Sequence, residues 1–196
     1  MFRSFFCLFG ACLLLSLLSA CTTRPDVTYS VDAKANQIKL QNLHSWRING
    51  KLAYQGKEER FSATLNWQQS PDEYELGLSS FIGTRILTLH KNGALVTLEY
   101  EDKDYQHQNA SELLYELTGW PIPVEQIPLW IKGQVSPDTR PLFSDNGLLQ
   151  QLNTAQGWQV NMSDYRPTGA YILPYNLELK TPTELIKIRV NTWQIN

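Results

Sequence analysis

Cysteine, histidine and methionine are scarce, with three, three and two among 196 residues. Cys7 and Cys12 fall inside an apolar leader, so Cys21 is the single thiol of the remaining chain, and neither a disulfide nor a cysteine metal site can be built. His44, His90 and His107 lie far apart without metal-ligand spacing, so no metal is expected. There is no Gly-x-Ser-x-Gly, no His-Glu-x-x-His and no glycine-rich phosphate loop. Asp102 and Asp104 are the nearest approach to a carboxylate pair, but among Glu99, Glu101 and Lys103 they read as a solvated hairpin end. No catalytic residue and no cofactor is therefore expected, and the protein reads as a non-enzyme. Charge of one sign is lacking too: 17 basic and 19 acidic residues give a net −2 with no block of either, which argues against nucleic acid. No apolar run reaches the ~20 residues that a spanning helix needs.

What is present begins at the amino terminus. Arg3 starts a short basic region, an apolar run follows from Phe5 to Leu18, and Leu18-Ser19-Ala20-Cys21 closes it with small residues before a cysteine. This is the form of a signal peptide over residues 1–20 ending in a lipobox, with Cys21 as the acylated first residue of the mature chain. Thr22 follows the cysteine, and not the aspartate associated with inner-membrane retention, so a lipid anchor in the outer membrane, on its periplasmic face, is expected. Polar residues 21–31 read as a flexible, lipidated tether.

The remaining chain, 32–196, is long enough for one domain and too short for two. A modest helix is expected from Asp32 to His44, with Asp32 as its cap. From Trp46 the apolar period becomes two, which predicts strands over 46–54, 61–67, 74–78, 86–90 and 94–100, the last two joined by a type I′ turn at Asn92-Gly93. A helical insert at 109–132 follows. Its first helix is capped by Asn109 or Ser111 and stopped at Gly119, and after Pro121 and Pro123 a second helix spans 124–132. A loop rich in Pro, Asp and Gly is expected at 136–147, and alternation returns over 148–154, 158–162, 175–179 and 186–190. The fold class is mostly β with α: an antiparallel sheet curled around its apolar face into an incomplete, half-open barrel and covered by two or three short helices.

The expected inner face is heavily aromatic. Trp46, Tyr54, Phe61, Leu65, Trp67, Tyr74, Leu76, Tyr100, Leu117, Trp130, Trp158 and Leu177 are its candidate lining. A packed core and a lipid-holding cavity both fit this pattern.

Four segments bear on that choice: Gly50-Lys51-Leu52-Ala53-Tyr54 with Asn66-Trp67-Gln68-Gln69; Ile82-Gly83-Thr84; Leu117-Thr118-Gly119-Trp120-Pro121-Ile122-Pro123 with Trp130-Ile131; and Leu177-Glu178-Leu179 with Ile186-Lys187-Ile188 and Trp193. In these the chain resembles the LolB family of outer-membrane lipoprotein receptors. The resemblance implies a receptor and chaperone that accepts the acyl chains of lipoprotein cargo from a soluble periplasmic carrier and inserts them into outer-membrane phospholipid, working as a monomer. It also implies a membrane-inserting loop. The family carries an exposed leucine in a pattern like Asn-Pro-Leu-Gly; aligned on Gly83, Ile82 takes the leucine's place, Phe81 the proline's and Ser80 the asparagine's. Phe81, Ile82 and Gly83 are thus the expected membrane-probing tip, with the loop's stiffness in question without the proline. Glu73, Glu75, Glu99 or Glu101 would suit a carrier with a basic rim. The other reading is an anchored β-scaffold that assists outer-membrane assembly without a lipid cavity.

Overall fold

The computed structural model describes residues 29–195. Cys21 and residues 1–28 lie outside the described residues, so the signal peptide, the lipidation site and most of the tether do too. Eleven strands form one antiparallel sheet in the order β6-β5-β4-β3-β2-β1-β11-β10-β9-β8-β7. In chain order they are β1 (Trp46–Gln55), β2 (Arg60–Gln69), β3 (Glu73–Ser79), β4 (Arg85–Asn92), β5 (Leu95–Tyr100), β6 (Lys103–His107), β7 (Thr139–Phe143), β8 (Leu149–Thr154), β9 (Gln159–Thr168), β10 (Tyr171–Lys180) and β11 (Leu185–Ile195). Every neighbour in the sheet is a neighbour in sequence except the β1–β11 pair, which joins the two halves at the centre. The edges β6 and β7 do not pair with each other, so the barrel stays open.

Alternation decides which face is inside. In β1, Trp46, Ile48, Leu52 and Tyr54 are buried while Arg47, Lys51 and Gln55 are exposed, and β2 repeats this with Ala63, Leu65 and Trp67. Gly50 lies on the inner side of β1, where a register shift after Asn49 brings β11 close. A Cβ there would stand 2.3 Å from the Arg189 carbonyl oxygen, so only glycine fits the approach.

Three helices cover the inner face: α1 (Ala33–Gln41), α2 (Ala110–Thr118) and the single turn α3 (Ile127–Trp130). Asp32 caps α1 by accepting from Ala35 N at 2.7 Å. Asn109 caps α2, accepting from Glu112 N at 3.0 Å, and Gly119 ends it in the left-handed conformation. Ser111 is not the cap; its Oγ accepts from Val124 N at 2.8 Å, while the Glu125 carboxylate accepts from Ala110 N and Ser111 N at the helix start. Leu40, Leu113, Leu114, Ile127 and Trp130 belong to the same core as the strand residues, which identifies the helices as the cover.

Several local expectations need correction. The second helix of the insert is one turn: Pro128, inside that turn, has no N–H to give Val124 O, so the helix cannot start at 124, and Gly133 with φ +76 ends the segment. The loop expected at 136–147 contains β7, an edge strand that tolerates Pro141 because no ladder partner lies on its outer side. The polar edge strand β6 has Tyr105 as its only apolar residue and therefore shows no alternation in the sequence. The β4–β5 turn is centred one residue later than expected: Asn92 pairs with Leu95, and Gly93 alone has positive φ. The turn with two left-handed residues is instead Glu101-Asp102, between β5 and β6.

Candidate functional site

The expected lining residues converge on the concave side of the sheet. Trp46, Tyr54, Leu65, Trp67, Tyr74, Leu76, Trp130, Trp158 and Leu177 are buried, and Phe61, Tyr100 and Leu117 are partly buried against them. Two aromatic groups organise this surface. At the end where β1 begins, Trp46 meets Trp67 at a ring distance of 5.7 Å and Trp193 at 5.4 Å, and Trp67 meets Tyr74 at 5.9 Å. At the opposite end, Trp120 stacks on Phe61 at 4.1 Å and lies 6.2 Å from Tyr54. Trp120 Nε1 donates to Glu59 at 2.7 Å, and Tyr54 OH donates to Glu184 at 2.5 Å, so two hairpin carboxylates fix this second group in place. Trp120 and Trp193 were missing from the expected lining. Trp120 sits in irregular backbone between the α2 stop and Pro121, where periodicity gives no signal.

The cover is stitched to itself. Gln37 of α1 donates to Gly133 O and accepts from Val135 N, both at 2.8 Å, and buried Lys132 donates to Leu43 O at 2.8 Å. Burial lowers the Lys132 pKa from 10.5 to about 8. Beside the cover, an open groove of about 740 Å³ runs past Tyr115, Pro121, Trp158 and Glu184.

The β3–β4 loop has the opposite character. Phe81 is 94 % exposed and Ile82 73 %, the most exposed large apolar side chains among the described residues. Ser80 closes the loop without a proline: its amide donates to Thr84 O at 2.8 Å, its carbonyl accepts from Gly83 N at 3.0 Å, and its Oγ accepts from Thr84 N at 3.1 Å. Gly83 carries φ +88, a conformation that a larger residue adopts only with strain. The strand directions place this loop at the Trp120 end of the sheet.

Of the acidic residues considered for carrier docking, Glu99 is paired with Arg85 at 2.8 Å, and His90 stands 3.5 Å from Glu99 and 3.8 Å from Glu75. Glu73 and Glu101 are exposed. Among the described residues no group of three or more His, Cys, Asp or Glu could hold a metal ion, and no helix is long and apolar enough to cross a membrane.

The family described as outer membrane lipoprotein LolB matches residues 44–193. The chain belongs to the LolB family. It is 34 % identical to the outer-membrane lipoprotein LolB of Tolumonas auensis over 182 residues, covering 92 % of this chain and 93 % of the relative. It is 37 % identical to that of Aeromonas salmonicida with the same coverage. Among solved structures, a LolA-superfamily protein from Nitrosomonas europaea aligns with a TM-score of 0.53 at 8 % identity, covering 85 % of this chain and 94 % of that one. An outer membrane lipoprotein-sorting protein domain from Vibrio parahaemolyticus aligns at 0.54 and 7 % identity, covering 84 % and 94 %. At such identities the likeness is one of fold alone.

Proposed function

We propose that the protein is the outer-membrane receptor of the lipoprotein localisation pathway, anchored through lipid on Cys21 with its domain facing the periplasm. Family membership over residues 44–193 is the observation that carries this reading. Its cargo is acylated lipoprotein, and its donor is a carrier of the LolA type. Residues 32–196 act as one domain, as a monomer, without catalysis.

Physical need supports the role. Three acyl chains of ~15 methylenes, at ~0.8 kcal/mol each, would cost tens of kcal/mol to expose to water, so cargo must pass from one apolar shelter to the next. The concave face, with its aromatic lining, is the shelter in this reading. Its side chains are now buried against one another and the cover, so acyl chains enter as α2 and the Trp120 link lift from the sheet. No nucleotide is required: a difference in affinity of a few kcal/mol biases the hand-over by 10²- to 10³-fold. Delivery then falls to Phe81 and Ile82. Their transfer from water into lipid contributes on the order of 3–5 kcal/mol, and the Ser80 hydrogen bonds hold them presented for it.

The reading is tested by mixing carrier loaded with labelled lipoprotein with this protein, in parallel with cargo stripped of its acyl chains. Transfer of the acylated cargo alone is expected. Equal capture of stripped cargo, or capture of neither, would favour the scaffold without a lipid cavity.

A further inference from the structure

An indole or phenol buried for its ring must still place a polar hydrogen. Most in this interior do so. Trp130 Nε1 donates to Ser136 Oγ at 2.9 Å and Trp193 Nε1 to Pro174 O at 3.3 Å, matching the Trp120–Glu59 and Tyr54–Glu184 bonds, and Tyr165 OH donates to Leu149 O at 2.5 Å. Trp67 Nε1 and Tyr74 OH have no partner, although these residues are only 1 % and 8 % exposed. Gln69 Oε1 is a third buried atom without one, and its orientation is fixed because Gln69 Nε2 donates to Ser70 O at 2.7 Å.

The three are neighbours. Trp67 and Gln69 lie two residues apart on β2 and so share a face, Gln69 pairs with Tyr74 across the β2–β3 ladder, and the Trp67 and Tyr74 rings are 5.9 Å apart. Unpaired buried polar atoms are rare and costly, and three in one patch call for a cause. The set holds two donors and one acceptor. Burial, and after it the charge of the Glu125 carboxylate, raise the Tyr74 pKa, so its hydroxyl stays protonated and able to donate. The complement is a ligand with carbonyl oxygens and an amide hydrogen embedded in hydrocarbon. An N-acylated diacylglyceryl cysteine carries that combination: two ester carbonyls and an acyl amide among three chains.

We propose that Trp67, Gln69 and Tyr74 form a polar seat inside the lipid shelter, where Trp67 Nε1 and Tyr74 OH donate to acyl carbonyl oxygens and Gln69 Oε1 accepts from the acyl amide N–H. The proposal rests on the cargo-receiving reading above and adds to it a means of recognition. Hydrocarbon walls alone hold any chain of the right length. This seat would prefer ester over ether linkages, and acylated cysteine over glycerolipid, which has no amide.

The test uses the chain from residue 21 onward with Cys21→Ser, so that no intrinsic lipid competes. Binding is measured for dioctanoylglycerol, its dioctyl ether counterpart, a triacylated cysteinyl peptide and a short-chain diacylphosphatidylglycerol. About tenfold tighter binding of the ester than of the ether is expected, lowered to about threefold by Tyr74→Phe, which leaves the Trp67 donor in place. Because the Tyr74 hydroxyl is unpaired without ligand, Tyr74→Phe should leave the Tm of the free protein unchanged or raised. Gln69→Leu should weaken the cysteinyl peptide about tenfold and spare the phosphatidylglycerol. Equal ester and ether binding by the unsubstituted seat overturns the proposal while leaving the shelter standing, whereas binding of none of the four lipids removes the shelter as well. A lower Tm for Tyr74→Phe with the ester preference undiminished would mean that buried water holds the hydroxyl, and the seat falls. An equal effect of Gln69→Leu on peptide and phospholipid overturns the assignment to cargo.

Discussion

The concave face and the β3–β4 loop are both apolar, yet they sit at opposite extremes of solvent exposure: Trp46 and Trp67 are each 1 % exposed, while Phe81 is 94 % and Ile82 73 %. Burial on the concave face has a structural cause, since those side chains hold eleven strands and three helices together. Exposure at the loop has none. The two adjacent apolar side chains stabilise nothing in the folded domain, and the hydrogen bonds around Ser80 hold them outward. Apolar residues in this protein therefore divide between those that hold the fold and those presented to solvent, and under the proposed roles of shelter and exit the two regions should respond differently to substitution.

The largest expected difference is in stability. Trp67→Ala removes a fully buried indole and should lower the unfolding free energy by about 3–5 kcal/mol in a denaturant titration. Phe81→Asp with Ile82→Glu should move it by less than about 0.5 kcal/mol. A loop variant as destabilised as the interior one would erase the distinction. The same pair should reverse order at the membrane: the loop variant is expected to lose on the order of 3 kcal/mol in vesicle binding by flotation, relative to the intact loop.

The interior should also be the pH-sensitive region. Lys132 is buried with its pKa lowered from 10.5 to about 8, so in that interval the unfolded chain binds the proton that the folded one has lost. Stability therefore rises with pH from about 8, by on the order of 2 kcal/mol at most, until the tyrosines intervene. Tyr54, Tyr74 and Tyr165 have pKa values raised by burial above the ordinary 10.0, so above that pH the unfolded chain ionises first and stability falls. Lys132→Met should remove the rise in a Tm-versus-pH series and leave the alkaline fall intact. Smallest of all, Glu59→Gln should cost about 0.5–1.5 kcal/mol by weakening the Trp120 bond, and should speed uptake of an apolar dye if that bond restrains the cover.

How legible these regions were in the sequence differs for physical reasons. The strands around Trp46, Trp67 and Leu177 were readable because one wet and one dry face impose strict alternation, and α2 because Asn109 and Gly119 mark its ends. Edge strands escape such reading. β6 needs only one apolar residue, and the proline in β7 reads as a break in a segment already rich in loop-forming residues. Trp120 and Trp193 join the aromatic groups through contacts between elements, which no local period encodes. The unpaired atoms of Trp67, Gln69 and Tyr74 depend on the absence of partners in three dimensions, and sequence carries no trace of that.

The division between shelter and exit is tested most directly by following labelled lipoprotein through three compartments, carrier, receptor and vesicle, with the lipid-anchored protein in the vesicles. For the Phe81→Asp, Ile82→Glu protein, cargo should leave the carrier at the normal rate and accumulate on the receptor, with delivery to the bilayer reduced at least tenfold. Normal delivery by that protein, or a block at the carrier step, would contradict the separation of the two apolar regions.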